Sequence, residues 1–272
     1  MRSKWFGLLA LVWIAGADAG DCSLVGADWK SLPHFMARPD KGAMLAQVRG
    51  MQTVGAEYWS AHTSESLVLG QSTRLTAGNY HWLQASGDWH GCSTSLSTAY
   101  YNNMGKGDAP TDMLLLSKAP LEVIPQPLPR EHWRYRGGDA WSFLVRWQGQ
   151  PLIDAGVLFV DSLGNAQALR SDDKGMVRVV FPDFMPDEMA HDAHEAAGHN
   201  QQARRGFALW AVAPDGSSLA GFDYHYAANA SYQHSLWYGV GLAVLGMLAA
   251  VGLFVRRKKA KKRRQSIEGE GA

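Results

Sequence analysis

Three of the ten histidines fall within nine residues, in His191-Asp-Ala-His194-Glu-Ala-Ala-Gly-His199. Neutral imidazole nitrogens and carboxylates suit first-row divalent ions, and His191, His194 and Glu195 can share one side of a helical turn through i, i+3 and i, i+4 spacing. The tract therefore predicts a chelate for Ni²⁺, Co²⁺, Cu²⁺ or Zn²⁺ built from His191, His194 and His199 and completed by Asp192 or Glu195. The pattern H-x-x-H-x-x-x-x-H is not H-E-x-x-H, so no zinc-protease chemistry follows. A solvated insertion with incidental histidines is the competing reading, because a His-rich stretch is only a compositional hint.

Elsewhere the chemistry is thinner. His81, His90, His225 and His234 form a secondary set. Asp88-Trp89-His90 lies in a Gly-bounded loop beside Cys92 and offers one carboxylate and one imidazole. On a strand His225 faces away from Tyr224 and Tyr226, which makes it a surface or half-buried strand residue. Ser93, Ser95 and Ser97 near His90 lack a G-x-S-x-G elbow. Asp172-Asp173 is explained by turn chemistry. The scattered glycines form no G-x-G-x-x-G fingerprint. No enzyme activity and no organic cofactor are expected.

Those side chains must be carried by an exported, membrane-tethered body. Arg2 and Lys4, the apolar Trp5–Gly16 stretch and Ala17-Asp18-Ala19 read as a signal peptide over residues 1–19. Leu236–Val255 is an unbroken run of 20 apolar or glycine residues followed by eight cations between Arg256 and Arg264. It reads as a single transmembrane helix over 236–255 with a basic cytoplasmic tail over 256–272. Tyr232, Trp237 and Tyr238 beside His234 read as interfacial anchors. The expected location is the inner membrane, with the body in the periplasm.

Between the two ends, Gly20–Ser235 carries 16 Lys/Arg against 22 Asp/Glu, a net charge of −6. That acidity argues against nucleic acid, which draws on cations facing phosphates. Cys22 and Cys92 are the only cysteines. An oxidising compartment permits a disulfide between them, whereas the alternative thiolate metal site has no C-x-x-C spacing to support it.

The body reads as all-β: one or two immunoglobulin- or transthyretin-like sandwiches plus the C-terminal helix. Pro120–Pro129, with four prolines, must be extended, as a linker or an edge strand. It sets a boundary between an N-terminal β-rich domain over 20–119 and a C-terminal sandwich over 120–232. Trp141–Trp147, Val157–Asp161, Ala166–Arg170, Met176–Phe181, Phe207–Val212 and Leu219–Tyr226 are strands separated by Gly, Asn, Asp and Pro. Trp141 and Trp147 share a face, the core face. The first half offers Ser66–Leu69, Gln71–Leu75, Tyr80–Ala85 and Met113–Ser117. Its Leu75-Thr-Ala-Gly78-Asn-Tyr80 stretch resembles the turn before a late strand of such sandwiches, where a Tyr packs the corner.

Leu121-Glu-Val-Ile-Pro125, Gly137-Gly-Asp139-Ala-Trp-Ser-Phe143, Gly149-Gln-Pro151-Leu-Ile-Asp-Ala155 and Ser171-Asp-Asp-Lys-Gly175-Met-Val-Arg-Val follow one another over about residues 120–182. In this order they resemble the NikM-like family of periplasmic, nickel-uptake-associated proteins. The G-x-P-L and D-x-x-G elements also occur in transthyretin-like and carboxypeptidase-regulatory-like sandwiches, and they specify turns. The resemblance implies a β-sandwich accessory of metal uptake, often membrane-anchored, with a metal-transport permease or other envelope protein as partner. The alternative is a non-enzymatic envelope module that binds a protein or glycan through exposed aromatics.

Overall fold

The computed structural model describes residues 22–40, 43–60, 63–75, 78–101, 110–129, 134–184, 204–229, 239–251 and 253–254. The chain divides into two compact units, Met1–Ala228 and Asn229–Ala272. The segments expected to be a signal peptide and a basic cytoplasmic tail lie outside the described residues, as does His234.

The first unit is built from strands, in agreement with the all-β expectation. They are β1 (His34–Asp40), β2 (Ala43–Arg49), β3 (Gln52–Trp59), β4 (Ser64–Ser66), β5 (Ser72–Thr73), β6 (Tyr80–Trp89), β7 (Cys92–Tyr101), β8 (Leu121–Gln126), β9 (Ala140–Trp147), β10 (Gln150–Pro151), β11 (Gly156–Asp161), β12 (Ala166–Arg170), β13 (Met176–Val180), β14 (Arg204–Val212) and β15 (Ser218–Ala227). Among the described residues a short helix, α1 (Thr111–Leu115), interrupts them.

The central layer is an eight-stranded sheet in the order β12-β11-β14-β15-β7-β6-β3-β4. Side chains alternate across it. Phe207 and Leu209 of β14, Phe222 and Tyr226 of β15, Trp82 of β6 and Phe159 of β11 join Val123, Phe143, Val145, Val177 and Val179 from the smaller sheet of β8, β9, β10 and β13. The opposite parity, Ala208 and Trp210 of β14, Leu83 and Ala85 of β6, Leu96 of β7 and Val160 of β11, packs on Phe35, Met44 and Ala46 of the β1-β2-β5 sheet and on Cys22, Leu24 and Leu32 before it. A strand buried on both faces reads as a continuous apolar run rather than an alternating one, which is why β14 carries Phe-Ala-Leu-Trp-Ala-Val in succession.

The expected boundary near residue 120 falls inside this unit. β15 from the second half pairs in parallel with β7 from the first, Leu219 opposite Thr94 and Phe222 opposite Ser97. Of the finer expectations, one changes and one narrows. Met113–Ser117, expected as a strand, is largely taken up by α1, which Pro110 opens and whose Met113 and Leu114 are buried. Pro120–Pro129 resolves to the edge-strand alternative: among the described residues β8 pairs only with β9, so Pro125 within it interrupts no second ladder. Trp141 and Trp147 do share the core face with Phe143 and Val145.

In the second unit residues 239–251 are helical, and their side chains, Val240, Leu242, Val244, Leu245, Met247, Leu248 and Val251 among them, are exposed. Among the described residues no helix is long and apolar enough to cross a membrane.

Candidate functional site

The predicted chelate residues, His191, Asp192, His194, Glu195 and His199, lie outside the described residues. Their attachment points are described. Phe184, just after β13, is buried and packs on Tyr226 at 5.4 Å between ring centroids. The Arg205 guanidinium carbon lies 5.3 Å from the centre of the Phe184 ring. The last described residue before the tract thus sits beside the first residues of β14.

His225 lies in that neighbourhood, opposite Gly206 in the β14–β15 register. Its ring stacks on Tyr224 at 4.4 Å. Burial, reinforced by the positive charges of Arg204 and Arg134, pushes its pKa down to about 4. It is a neutral imidazole at physiological pH. Burial likewise raises the Tyr224 phenol, which stays protonated.

Two residues back on β15, on the face of His225, stands a pairing that local sequence does not announce. The Asp223 carboxylate is buried, and its Oδ2 accepts the Phe35 backbone N–H at 2.9 Å and lies 3.0 Å from His34 Nδ1. The other ring nitrogen of His34, Nε2, is 2.5 Å from the Trp29 carbonyl oxygen. The Trp29 indole lies over the imidazole, with centroids 3.8 Å apart, and reaches across the strand to Gly206. A Cβ at residue 206 would sit 2.6 Å from Trp29 Cη2, so glycine is what lets the indole lie down there. Burial opposes a charge on His34, but the Asp223 hydrogen bond and charge, with the Trp29 carbonyl, outweigh it and hold the imidazole pKa above its ordinary value. Burial also raises Asp223, against the pull of His34.

A second buried charge pair sits on the opposite layer. Arg146 of β9 donates from Nε to Glu122 Oε2 of β8 at 2.7 Å and from its terminal nitrogens to the carbonyls of Leu115 (2.9 Å) and Leu116. Glu122 also accepts from the Lys118 backbone N–H and Ser117 Oγ. The group fastens the end of α1 to the β8–β9 edge.

The remaining candidates resolve into structure. His81 is fully buried, edge-on to Tyr58 at 6.1 Å between centroids. Asp88 accepts the Gly91 N–H and closes the β6–β7 turn, while His90 packs edge-on against Trp89. Ser93, Ser95 and Ser97 lie along β7, where Ser97 Oγ donates to the Gly221 carbonyl at 2.9 Å. Asp172 caps its turn by accepting from Lys174 and Met176. Cys22 and Cys92 are joined, with 5.6 Å between their Cα atoms, tying the start of the described chain to β7. Among the described residues no group of three or more His, Cys, Asp and Glu gathers to hold a metal. No family model matches the chain, and no curated protein matches it.

Proposed function

We propose that this is a membrane-anchored accessory protein of divalent-metal uptake, which binds Ni²⁺ or a similar ion through His191, His194 and His199, with Asp192 or Glu195, and passes it to a permease. The observation that carries the reading is the donor-rich tract itself, three histidines and two carboxylates within nine residues.

Three features support the setting. The Cys22–Cys92 disulfide suits an oxidising compartment. The helix over 239–251 presents apolar side chains to its surroundings on all sides, as a segment whose solvent is lipid would. The stretches resembling the NikM-like family occupy β8, β9, the turn at β10 and the connection from β12 to β13, which crosses from the eight-stranded sheet to the smaller one as a sandwich requires. The anchor would hold the donors close to a partner permease and raise their effective concentration there. The envelope-module reading has less to stand on. Every described Trp, Tyr and Phe of the first unit is buried or half-buried, and its exposed large apolar side chains are aliphatic.

Isothermal titration of the full chain in detergent with Ni²⁺, Co²⁺, Cu²⁺ and Zn²⁺ tests the proposal. Saturable binding of one of these ions that is lost in the His191→Ala/His194→Ala/His199→Ala variant supports it. Equal binding by wild type and variant, or no binding of any of the four, removes it.

A further inference from the structure

We propose that His34, Asp223 and Trp29 form a proton-operated latch that holds the segment before β1 against the central sheet and frees its Trp29 end when the pair loses a proton. The carboxylate of Asp223 and the carbonyl of Trp29 offer only acceptors, one to each ring nitrogen of His34. Satisfying both takes two N–H groups, which only the doubly protonated imidazole has. Once the imidazole gives up one of them, either the Trp29 carbonyl loses its donor or Asp223 Oδ2 keeps only the Phe35 N–H, and an unmade buried hydrogen bond is costly.

The surroundings favour the charged form. The indole face lies 3.8 Å from the imidazole, a cation–π geometry. Asp223 is the acid in contact. The other charged groups near the site are Arg49, the cross-strand partner of His34 on β2; Asp28 and Lys30 beside Trp29; and Arg204 on β14, opposite Ala227 in the ladder. Asp28 is already engaged by Ser31. His225, which is neutral, is the next side chain on that face of β15.

The sign follows from the pair. With its pKa raised in the folded state, His34 contributes stability that is complete below the ordinary histidine value of 6.5 and is lost as pH rises through the elevated one. Burial raises Asp223 as well, so acidification does not open the latch through that carboxylate. The opening is alkaline. The disulfide at Cys22 and the Cys22 N–H to Gly216 carbonyl bond at 2.9 Å keep the far end of the segment attached, so the motion is local and reversible.

The test uses the full chain in detergent. Ring ¹⁵N shifts of His34 followed from about pH 5 to 9 should show two protonated nitrogens at the acid end, titrating above the free-histidine value. The protection factors of the Trp29–Phe35 amides, taken relative to the intrinsic exchange rate at each pH, should then fall by about tenfold or more through the same transition while those of β14 hold. In Asp223→Asn the histidine titration should fall below that of wild type, and in His34→Gln the protection of Trp29–Phe35 should no longer respond to pH. A single ring N–H on His34 throughout the range, or protection that ignores its titration, overturns the proposal. The wild-type spectra decide the matter even if neither variant folds.

Discussion

Replacing Arg146 by Met gives the sharpest test of what holds the β8–β9 edge together. Met keeps the unbranched stem and removes the guanidinium, so Glu122, 4% exposed, loses its cationic partner, and the Leu115 and Leu116 carbonyls lose their donors. Breaking one side of a buried ion pair costs about 3–5 kcal/mol. For a body of this size each kcal/mol moves the melting temperature by about 2–4 °C, so a fall of roughly 6–20 °C is expected. Glu122→Leu together with Arg146→Met removes both charges and should recover to within about 2 kcal/mol of wild type, since a buried pair is often worth little against an apolar replacement. Lys118 reports on the same group independently. Burial pushes its ammonium pKa down to about 8, Glu122 pulling it up and Arg146 pressing it down. Arg146→Met should therefore raise the pH at which Lys118 becomes reactive toward an acylating label, and Glu122→Gln should lower it. Thermal melts and mass-spectrometric labelling across pH read both outcomes. A loss below about 1 kcal/mol, or a Lys118 midpoint that moves the opposite way, refutes the description of this pair as buried and mutually dependent.

Serine at both Cys22 and Cys92 releases a closure of 70 residues and should cost about 4 kcal/mol in the chain-entropy account, seen as a lower denaturation midpoint and faster amide exchange before β1. Gly221→Ala places a Cβ 2.8 Å from Trp210 and 2.9 Å from Leu96 in the packed interior, so an overpacking loss of about 1–3 kcal/mol is expected by denaturant titration. Gly206→Ala meets the half-exposed Trp29 instead. It should displace the indole at small global cost, with a change in tryptophan fluorescence and faster exchange over Trp29–Phe35. The depressed Lys118 pKa predicts that stability rises as pH climbs from about 8 toward 10.5, because the folded state gives up that proton first; a stability profile flat across this interval in wild type and rising in Lys118→Met would be the wrong way round.

The second half of the fold was legible because its punctuation is chemical. Asp172 and Gly175, Leu163-Gly164-Asn165 and Pro214-Asp215-Gly216 all make turns, and the strands between them differ from expectation by only a few residues. β7 was missed for a physical reason. Cys-Ser-Thr-Ser-Leu-Ser-Thr-Ala-Tyr-Tyr looks like a polar loop, yet it lies inside the central sheet. Its small hydroxyl side chains pair in parallel with β15, and Ser97 spends its hydroxyl on a neighbouring carbonyl rather than on water. α1 was misread because a short Met-Leu-Leu run has no period long enough to separate helix from strand. The joining of the two halves could not be read at all, since it rests on pairing between segments more than a hundred residues apart.

The site was legible only in part. The histidine tract declares itself by composition, but composition says nothing about a partner on another strand, and His34 and Asp223 are 189 residues apart. One local sign was present. Leu-Ala-Gly-Phe-Asp-Tyr-His-Tyr-Ala is apolar enough to be a buried strand, and a carboxylate in its middle must meet a donor or shift its pKa. Of the ten histidines, the one that meets it is His34, which the first strand carries to the sheet next to the disulfide-tied segment. A buried acid in an otherwise apolar strand therefore signals a distant base, and the useful question to put to such a sequence is which segment is short enough, and firmly enough tied, to bring one.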